Sequence, residues 1–229
     1  MASDAPLSIV LPVLNEARTV QSALQRLCVQ APEAELLAVD GGSTDGTAEL
    51  AAAHCRVLQG PRGRAHQMNL GAQHSRGAWL LFLHADTRLP DGFQAELARA
   101  AALGFQAGAF RLRIVGCHPL LPLLAWGATL RTRWRRAALG DQALFCTRGL
   151  FEAQGGFPPL PMLEDYAFTL GLRRAGIPLY LARTAVETSG RRWDERGFWR
   201  TWWQFRRIYW EYHRSADLQR LRAGYEDVR

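Results

Sequence analysis

The stretch LLAVDGGSTDGT, residues 36–47, is a short apolar run that ends in a carboxylate and opens directly into a glycine-rich polar turn. Four apolar residues bounded by turn formers suit a buried strand. The glycines allow backbone conformations closed to other residues, and Ser43, Thr44 or Asp45 is placed to cap a helix over 48–54. Similar units surround this one. LSIVLPV (7–13) reads as a strand, followed by a helix over 16–28 with Val20, Leu24 and Leu27 at helical spacing. CRVLQG (55–60) is a third strand, RAHQMNLGAQHS (64–75) a helix, and AWLLFLHAD (78–86) a fourth strand. The alternation predicts an α/β fold, with a mixed, mainly parallel sheet, helices on both faces, and ligands at the carboxyl ends of the strands.

Beyond about residue 104 the rhythm changes. Strands are expected over 108–115, 142–148, 178–183 and 185–190, and helices over 119–135 and 149–157. A proline-rich entry leads into another helix within 158–176, and an aromatic-rich helix runs over 196–214. No repeat or low-complexity linker divides the chain. The expectation is one domain over 1–229, with a ligand-binding half at about 7–103, a second half at about 104–195 and a helical extension at 196–229.

Composition narrows the class. The chain has 229 residues, 48% of them hydrophobic, which suits a globular core. All 28 basic side chains are arginine, and with 21 acids they leave a net charge of +7. Arginine's planar fork suits phosphate and carboxylate, although a biased genome also enriches it. The four cysteines lie far apart, without zinc-ligand spacing, as expected of core thiols in a reducing cytoplasm. No signal peptide or run of roughly 18–20 apolar residues argues for secretion or a membrane span.

Polar groups follow three of the first four strands. Pro12, Asn15 and Glu16 follow the first, Asp40, Gly42 and Ser43 the second, and His84 and Asp86 the fourth. A carboxylate at a strand end can accept hydrogen bonds from a base or a ribose, and glycines let a ligand approach the backbone. An ordinary strand-to-helix turn would account for 40–47 equally well. Arg64 stands at the start of a helix, where a guanidinium and free backbone N–H groups together favour phosphate.

SIVLPVLNE, LLAVDGGSTDGT, GRAHQMNLGA, WLLFLHADTRL, GDQALFCTR and EDYAFTLGLRRAG occur in an order that resembles family 2 glycosyltransferases of the GT-A fold, over roughly 7–193. Within that family the chain looks similar to a bacterial arsenosugar-biosynthesis glycosyltransferase-like group. The resemblance implies an inverting transfer from a nucleotide-diphospho-sugar, most commonly a uridine donor. Pro12, Asn15, Glu16, Asp40, Gly42 and Ser43 would then hold the nucleoside, with Arg64 and Asn69 near it or the diphosphate.

By the same resemblance Asp86 corresponds to the last acid of the family's DxD motif, which holds a divalent cation, Mn²⁺ or Mg²⁺. His84 stands at the motif's first position, and strand alternation would point it the same way as Asp86. A neutral histidine can bond ribose, and as a ligand it favours manganese over magnesium. Asp165 matches the acceptor-side acid and would be the general base. Adjacent helix residues point about 100° apart, so Glu164 serves the helix end or a neighbour instead. Asp141 and Gln142 would line the acceptor pocket. Arg191, Arg192 and Trp193 resemble a segment that closes over the diphosphate; the glutamine of the processive QxxRW signature is absent, so processivity is not implied.

In the last helix Phe198, Trp202, Phe205, Tyr209 and Tyr212 make one aromatic stripe suited to packing. Trp199, Trp203 and Trp210 lie off it among arginines, as in an interfacial helix for an anionic bilayer. A lipid-linked acceptor, peripheral contact with the inner face of the membrane, and burial in a homodimer are the alternatives. Two other functions compete: a nucleotidyltransferase of related fold, and a non-enzymatic basic module for membrane or nucleic acid. Acids after successive strands argue against the latter, and no nucleic-acid partner is expected.

Overall fold

The computed structural model describes residues 7–214. Its elements in chain order are β1 (Leu7–Val13), α1 (Val20–Gln30), β2 (Glu35–Asp40), α2 (Thr47–Ala52), β3 (Arg56–Gln59) and α3 (Arg64–His74). Next come β4 (Trp79–Phe82), β5 (Thr87–Arg88), α4 (Phe93–Ala102), β6 (Ala107–Val115), α5 (Leu121–Arg135) and a 3₁₀ turn (Gly140–Gln142). β7 (Phe145–Thr147), α6 (Arg148–Ala153), α7 (Glu164–Arg174), β8 (Tyr180–Ser189), α8 (Arg191–Arg196) and α9 (Phe198–His213) follow. The part of the expected C-terminal extension beyond 214 lies outside the described residues.

Among the described residues the strands form one sheet in the order β3-β2-β1-β4-β7-β6-β8-β5. The first four are parallel, as the sequence rhythm predicts. β7 runs antiparallel to both β4 and β6, β8 is parallel to β6, and β5 is antiparallel to β8. β1 has β2 on one side and β4 on the other, so the chain reverses its direction of travel there. The carboxyl ends of β1 and β4 flank the crevice that such a reversal opens.

Burial on both faces explains why the central strands are apolar without a break. Ile9, Leu11 and Val13 join one core with Leu24 of α1 and Phe93 of α4. Val10, Leu80 and Phe82 face the other way, onto Met68 of α3 and Phe168 of α7. Each such side chain, fully buried, contributes about 1.5–3 kcal/mol. At Gly71 a Cβ would stand 2.3 Å from Val10 Cγ1, so glycine is what lets α3 lie close to β1.

Several elements differ from expectation, β5 and α8 among them, which the sequence rhythm does not announce. β4 stops at Phe82, and the continuation through Asp86 is a turn closed by the Thr87 N–H on the His84 carbonyl at 3.0 Å. Strand alternation therefore does not govern His84 and Asp86. Residues 178–190, expected as two strands, form the single strand β8, and α4 was not anticipated. β8 carries two extra residues against β6: Ala109 pairs with Leu181, but Arg111 pairs with Ala185. The N–H groups freed by this bulge, on Arg183 and Thr184, donate to Glu96 Oε1 of α4 at 3.1 and 3.3 Å, while the Tyr180 hydroxyl donates to Oε2 at 2.7 Å.

Candidate active site

The loops after β1 and β2 are knitted together. The Asn15 N–H donates to Ser43 Oγ at 2.9 Å, and the Thr44 N–H donates to Asn15 Oδ1 at 3.0 Å. The Glu16 N–H donates to Thr47 Oγ1 at 2.7 Å and the Ala17 N–H to Asp45 Oδ2 at 3.1 Å. The Thr47 hydroxyl also donates to Asp45, holding its carboxyl below the usual range. Asn15 has φ of 54°, so the loop needs a residue that tolerates the left-handed region. Asp40 is buried, and its carboxylate accepts from the N–H groups of Gly42 and Ser43 and from the Ser43 hydroxyl. Behind both strand ends, the buried Gln67 amide donates to the carbonyls of Val13 and Val39, each at 2.8 Å.

These loops border a cavity of about 470 Å³ at the crevice. Pro12 lines it from the end of β1, Glu16 from the loop that follows, and Arg64 from the start of α3. Asn15 lies in an adjoining cleft with Asp45. Asp40, Gly42 and Ser43 shape the turn and are not among the residues lining the cavity. Asn69 is also outside it, with both ends of its amide engaged by the Phe157 backbone at 2.8 and 2.9 Å.

His84 and Asp86 both line the cavity, brought there by the turn rather than by a pleat. Facing them are the 3₁₀ turn and the start of α7. The Gly140 N–H donates to Asp165 Oδ2, and the Tyr166 N–H donates to Asp165 Oδ1 at 2.6 Å. A Cβ on Gly140 would stand 2.7 Å from Asp165 Oδ2 and 2.9 Å from His84 Nε2, so this glycine leaves both groups room around one point. Leu163 before the Glu164–Asp165 pair and Ala143 after the Asp141–Gln142 pair have φ of 61° and 46°. Left-handed backbone at such residues costs roughly 1–3 kcal/mol each, a strain typical of functional sites.

The paired residues divide as helix geometry requires. Glu164 turns away from Asp165 to meet Arg64, Oε1 to Nε, at 3.0 Å. Asp141 lines the cavity, while its neighbour Gln142 is buried, accepting from the Thr132 hydroxyl at 2.7 Å and donating to the Phe110 carbonyl at 3.0 Å. Asp141 Oδ1 is shielded from solvent and has no hydrogen-bond partner among the described residues. Burial pushes this carboxyl up to about 6; Arg131 and Arg64 oppose the rise, and the charges of Asp165 and Asp86 add to it.

Arg191, Arg192 and Trp193 of α8 also line the cavity. Trp193 stacks on Phe205 of α9 with ring centroids 5.6 Å apart, and the Arg192 guanidinium lies 6.0 Å from the Phe205 ring. Sequence reasoning passed over Arg26 of α1 and Arg88 of β5, which join the lining. Burial and the nearby Arg88 charge lower the proton affinity of Arg26. The spacing of Ser22 and Arg26 along one face of α1, in line with Thr19 at its N-cap, was the available signal.

The glycosyl transferase family 2 model matches residues 8–116. A PGL/p-HBAD biosynthesis glycosyltransferase of Mycobacterium tuberculosis is 33% identical over 172 residues, covering 67% of this chain and 61% of the relative. The chain thus spans less than two thirds of that relative's length. Glycosyltransferase AglE of Haloferax volcanii is 35% identical over 98 residues, 38% of this chain and 32% of the relative. A mannosyltransferase from Pyrobaculum calidifontis, solved with GDP-Man and Mn²⁺, superposes with a TM-score of 0.67 at 20% identity, covering 88% of this chain and 60% of that one. Glucosyl-3-phosphoglycerate synthase of Mycobacterium tuberculosis, solved with Mn²⁺, UDP and glucosyl-3-phosphoglycerate, gives a TM-score of 0.57 at 20% identity over 81% of this chain and 71% of that one. The architecture is the GT-A fold. The likeness to glycosyl transferase family 2 lies in residues 8–116, a little under half of the chain.

Proposed function

We propose that the chain is an inverting glycosyltransferase that moves a sugar from a nucleotide-diphospho-sugar, with uridine as the nucleoside, to an acceptor hydroxyl. The observation that carries this reading is the meeting, in one cavity, of Asp86 after β4, Arg64 at the start of α3 and Asp165 at the start of α7. Pro12 and Glu16 flank the nucleoside, and the Asp40-held turn fixes the backbone beside it. Arg64, oriented by Glu164, meets the diphosphate.

The family implies a divalent cation, Mn²⁺ or Mg²⁺. The donor set fits one: Asp86 is exposed in the cavity, and Asp141 contributes a shielded oxygen without a partner. Among the described residues no three side chains form a ready metal cluster, so phosphate oxygens and water would complete the shell. When bound, such an ion offsets the charge that grows on the departing diphosphate.

Asp165 takes the proton from the acceptor hydroxyl. The freed oxygen pair forms the new bond to the anomeric carbon as the bond to the phosphate oxygen breaks, and the nucleoside diphosphate leaves with those electrons. Attack opposite the leaving group inverts the anomeric centre. The Gly140 and Tyr166 N–H groups fix the Asp165 carboxylate in place. Motif resemblance supports membership of the arsenosugar-biosynthesis-like group, and the free thiols suit a reducing compartment such as the cytoplasm.

Calorimetry of nucleotide-sugars with and without Mn²⁺ tests the scheme. Binding of a uridine donor that strengthens with Mn²⁺ and is lost in Asp86→Ala is expected; no binding by any donor would sink it. Release of pyrophosphate from a nucleoside triphosphate would indicate a nucleotidyltransferase instead.

A further inference from the structure

The wall of the cavity nearest the C-terminus is a single helix with two different faces. Phe205 and Ile208 of α9 line the cavity, and Phe198, Thr201 and Ile208 are buried. On its other side Trp199, Trp203 and Trp210 are 62%, 65% and 57% exposed. α5 repeats the pattern: Leu121, Ala125 and Thr132 are buried, while Leu123, Trp126 and Trp134 are 61%, 61% and 77% exposed. Five of the chain's eight tryptophans therefore stand in solvent, although this side chain normally buries most of its surface.

The two helices lie side by side. His118, just before α5, stacks on Phe198 at the start of α9 with centroids 4.3 Å apart. About three turns further along both, the Arg131 guanidinium lies 5.8 Å from the Tyr209 ring. Arginines alternate with the exposed rings. Arg133, Arg135 and Arg136 end α5, which contains no acid, and Arg200, Arg206, Arg207 and Arg214 lie along α9. Arg206 sits 5.4 Å from the Trp202 ring and Arg214 4.4 Å from the Trp210 ring. Glu211 is paired with Arg207 at 2.7 Å and so leaves the surface basic.

We propose that the outer faces of α5 and α9 form one docking surface for an anionic lipid bilayer. Tryptophan prefers the boundary between headgroups and acyl chains, and arginine stems reach out of it to lipid phosphates. Among the described residues no helix is long and apolar enough to cross a membrane, and the surface lies along the sides of two amphipathic helices. A second copy of the chain is the poorer occupant, because a two-fold contact through this surface brings arginines onto arginines. Docking sets the α8–α9 side of the cavity against the membrane, where an acceptor borne by a lipid would be met; that last step alone rests on the transferase reading.

Flotation with vesicles of phosphatidylcholine alone, or with about 30% phosphatidylglycerol, tests the surface in the full chain. Binding to the anionic vesicles is expected, with a blue shift in tryptophan emission and a marked loss as salt rises from about 0.1 to 0.5 M. The triple change Trp199→Ala, Trp203→Ala, Trp210→Ala should weaken partitioning by about tenfold or more. The pair Trp126→Ala, Trp134→Ala, on the other helix, should weaken it as well, which separates the surface from a local defect in α9. Equal binding to neutral vesicles, or anionic binding indifferent to both variants, overturns the proposal. So does a wild-type chain that ignores vesicles but sediments as a dimer dispersed by the same substitutions. Nucleotide-sugar calorimetry on these variants reads the transferase proposal separately, since none of the five tryptophans lines the cavity.

Discussion

The Arg64 Nε atom lies 3.0 Å from Glu164 Oε1, joining the first turn of α3 to the first turn of α7 across a hundred residues of sequence. The Glu164 side chain is 1% exposed, so its end of the ion pair is screened little by water, while Arg64 at 29% keeps some contact with solvent. Arg64→Ala should lower unfolding stability by about 1–3 kcal/mol, because it takes a charge partner from a buried carboxylate. Glu164→Gln should cost less, and adding it to Arg64→Ala should recover part of the loss. Urea denaturation of the three variants measures the coupling.

Asp86 and Asp165 face the same cavity from opposite sides, and their removal should separate binding from turnover. Asp86→Ala is expected to abolish the Mn²⁺-dependent part of donor affinity. Asp165→Ala should keep that affinity and lose about 10²–10⁴-fold in kcat. Calorimetry and steady-state transfer, run on both variants, distinguish the roles; full turnover in Asp165→Ala would remove it as the base. His84→Asp should shift metal preference from Mn²⁺ towards Mg²⁺, read by comparing donor affinity in the two ions.

Gly140 is the residue that lets Asp165 and His84 approach each other. The Cβ of Gly140→Ala would intrude to 2.7 Å from Asp165 Oδ2 and 2.9 Å from His84 Nε2. A stability loss of about 1–3 kcal/mol is expected from the crowding. Turnover should fall by more than that loss explains at temperatures where the variant is fully folded, which circular dichroism and initial rates establish together.

The Asp141 carboxyl, pushed up to about 6 by burial and neighbouring acids, holds its proton more tightly in the folded chain than in the unfolded one. The folded protein therefore binds more protons between about pH 4 and 6, and stability should fall as pH rises through that window. Asp141→Asn removes the penalty. In EDTA, thermal melts should show the variant stabilised above pH 6, by up to about 3 kcal/mol, with the advantage shrinking towards pH 4. A difference independent of pH would place the effect in packing.

The N-terminal half of the fold was legible because its central strands are buried on both faces and write themselves as unbroken apolar runs. Residues at strand ends were legible for the same reason: Pro12 stands near the end of such a run, Glu16, His84 and Asp86 follow one, and all four reach the cavity. Asp40 and Asn69 also carried site signatures, yet their side chains are occupied by the turn at Gly42–Ser43 and by the Phe157 backbone. A sequence motif marks where a polar group is needed and does not say whether a ligand or the chain itself satisfies it. Arg26 and Arg88 escaped notice because neither follows a strand end; the fold brings them together from the face of a helix and a two-residue strand.

The bulge in β8 adds two residues, an even number, and this parity has a use. Tyr180, Ala182, Val186 and Thr188 all face inward, on both sides of the extra pair, so the strand is lengthened without being turned over. Glu96 makes the insertion tolerable by accepting the N–H groups it frees. Taking out Arg183 and Thr184 together would leave every inward residue inward and draw Glu187 and Ser189 back by about 7 Å, out of the cavity they now line. Taking out one alone would flip the rest of the strand. This edge of the site can thus be lengthened or shortened in steps of two while the sheet beneath it keeps its core.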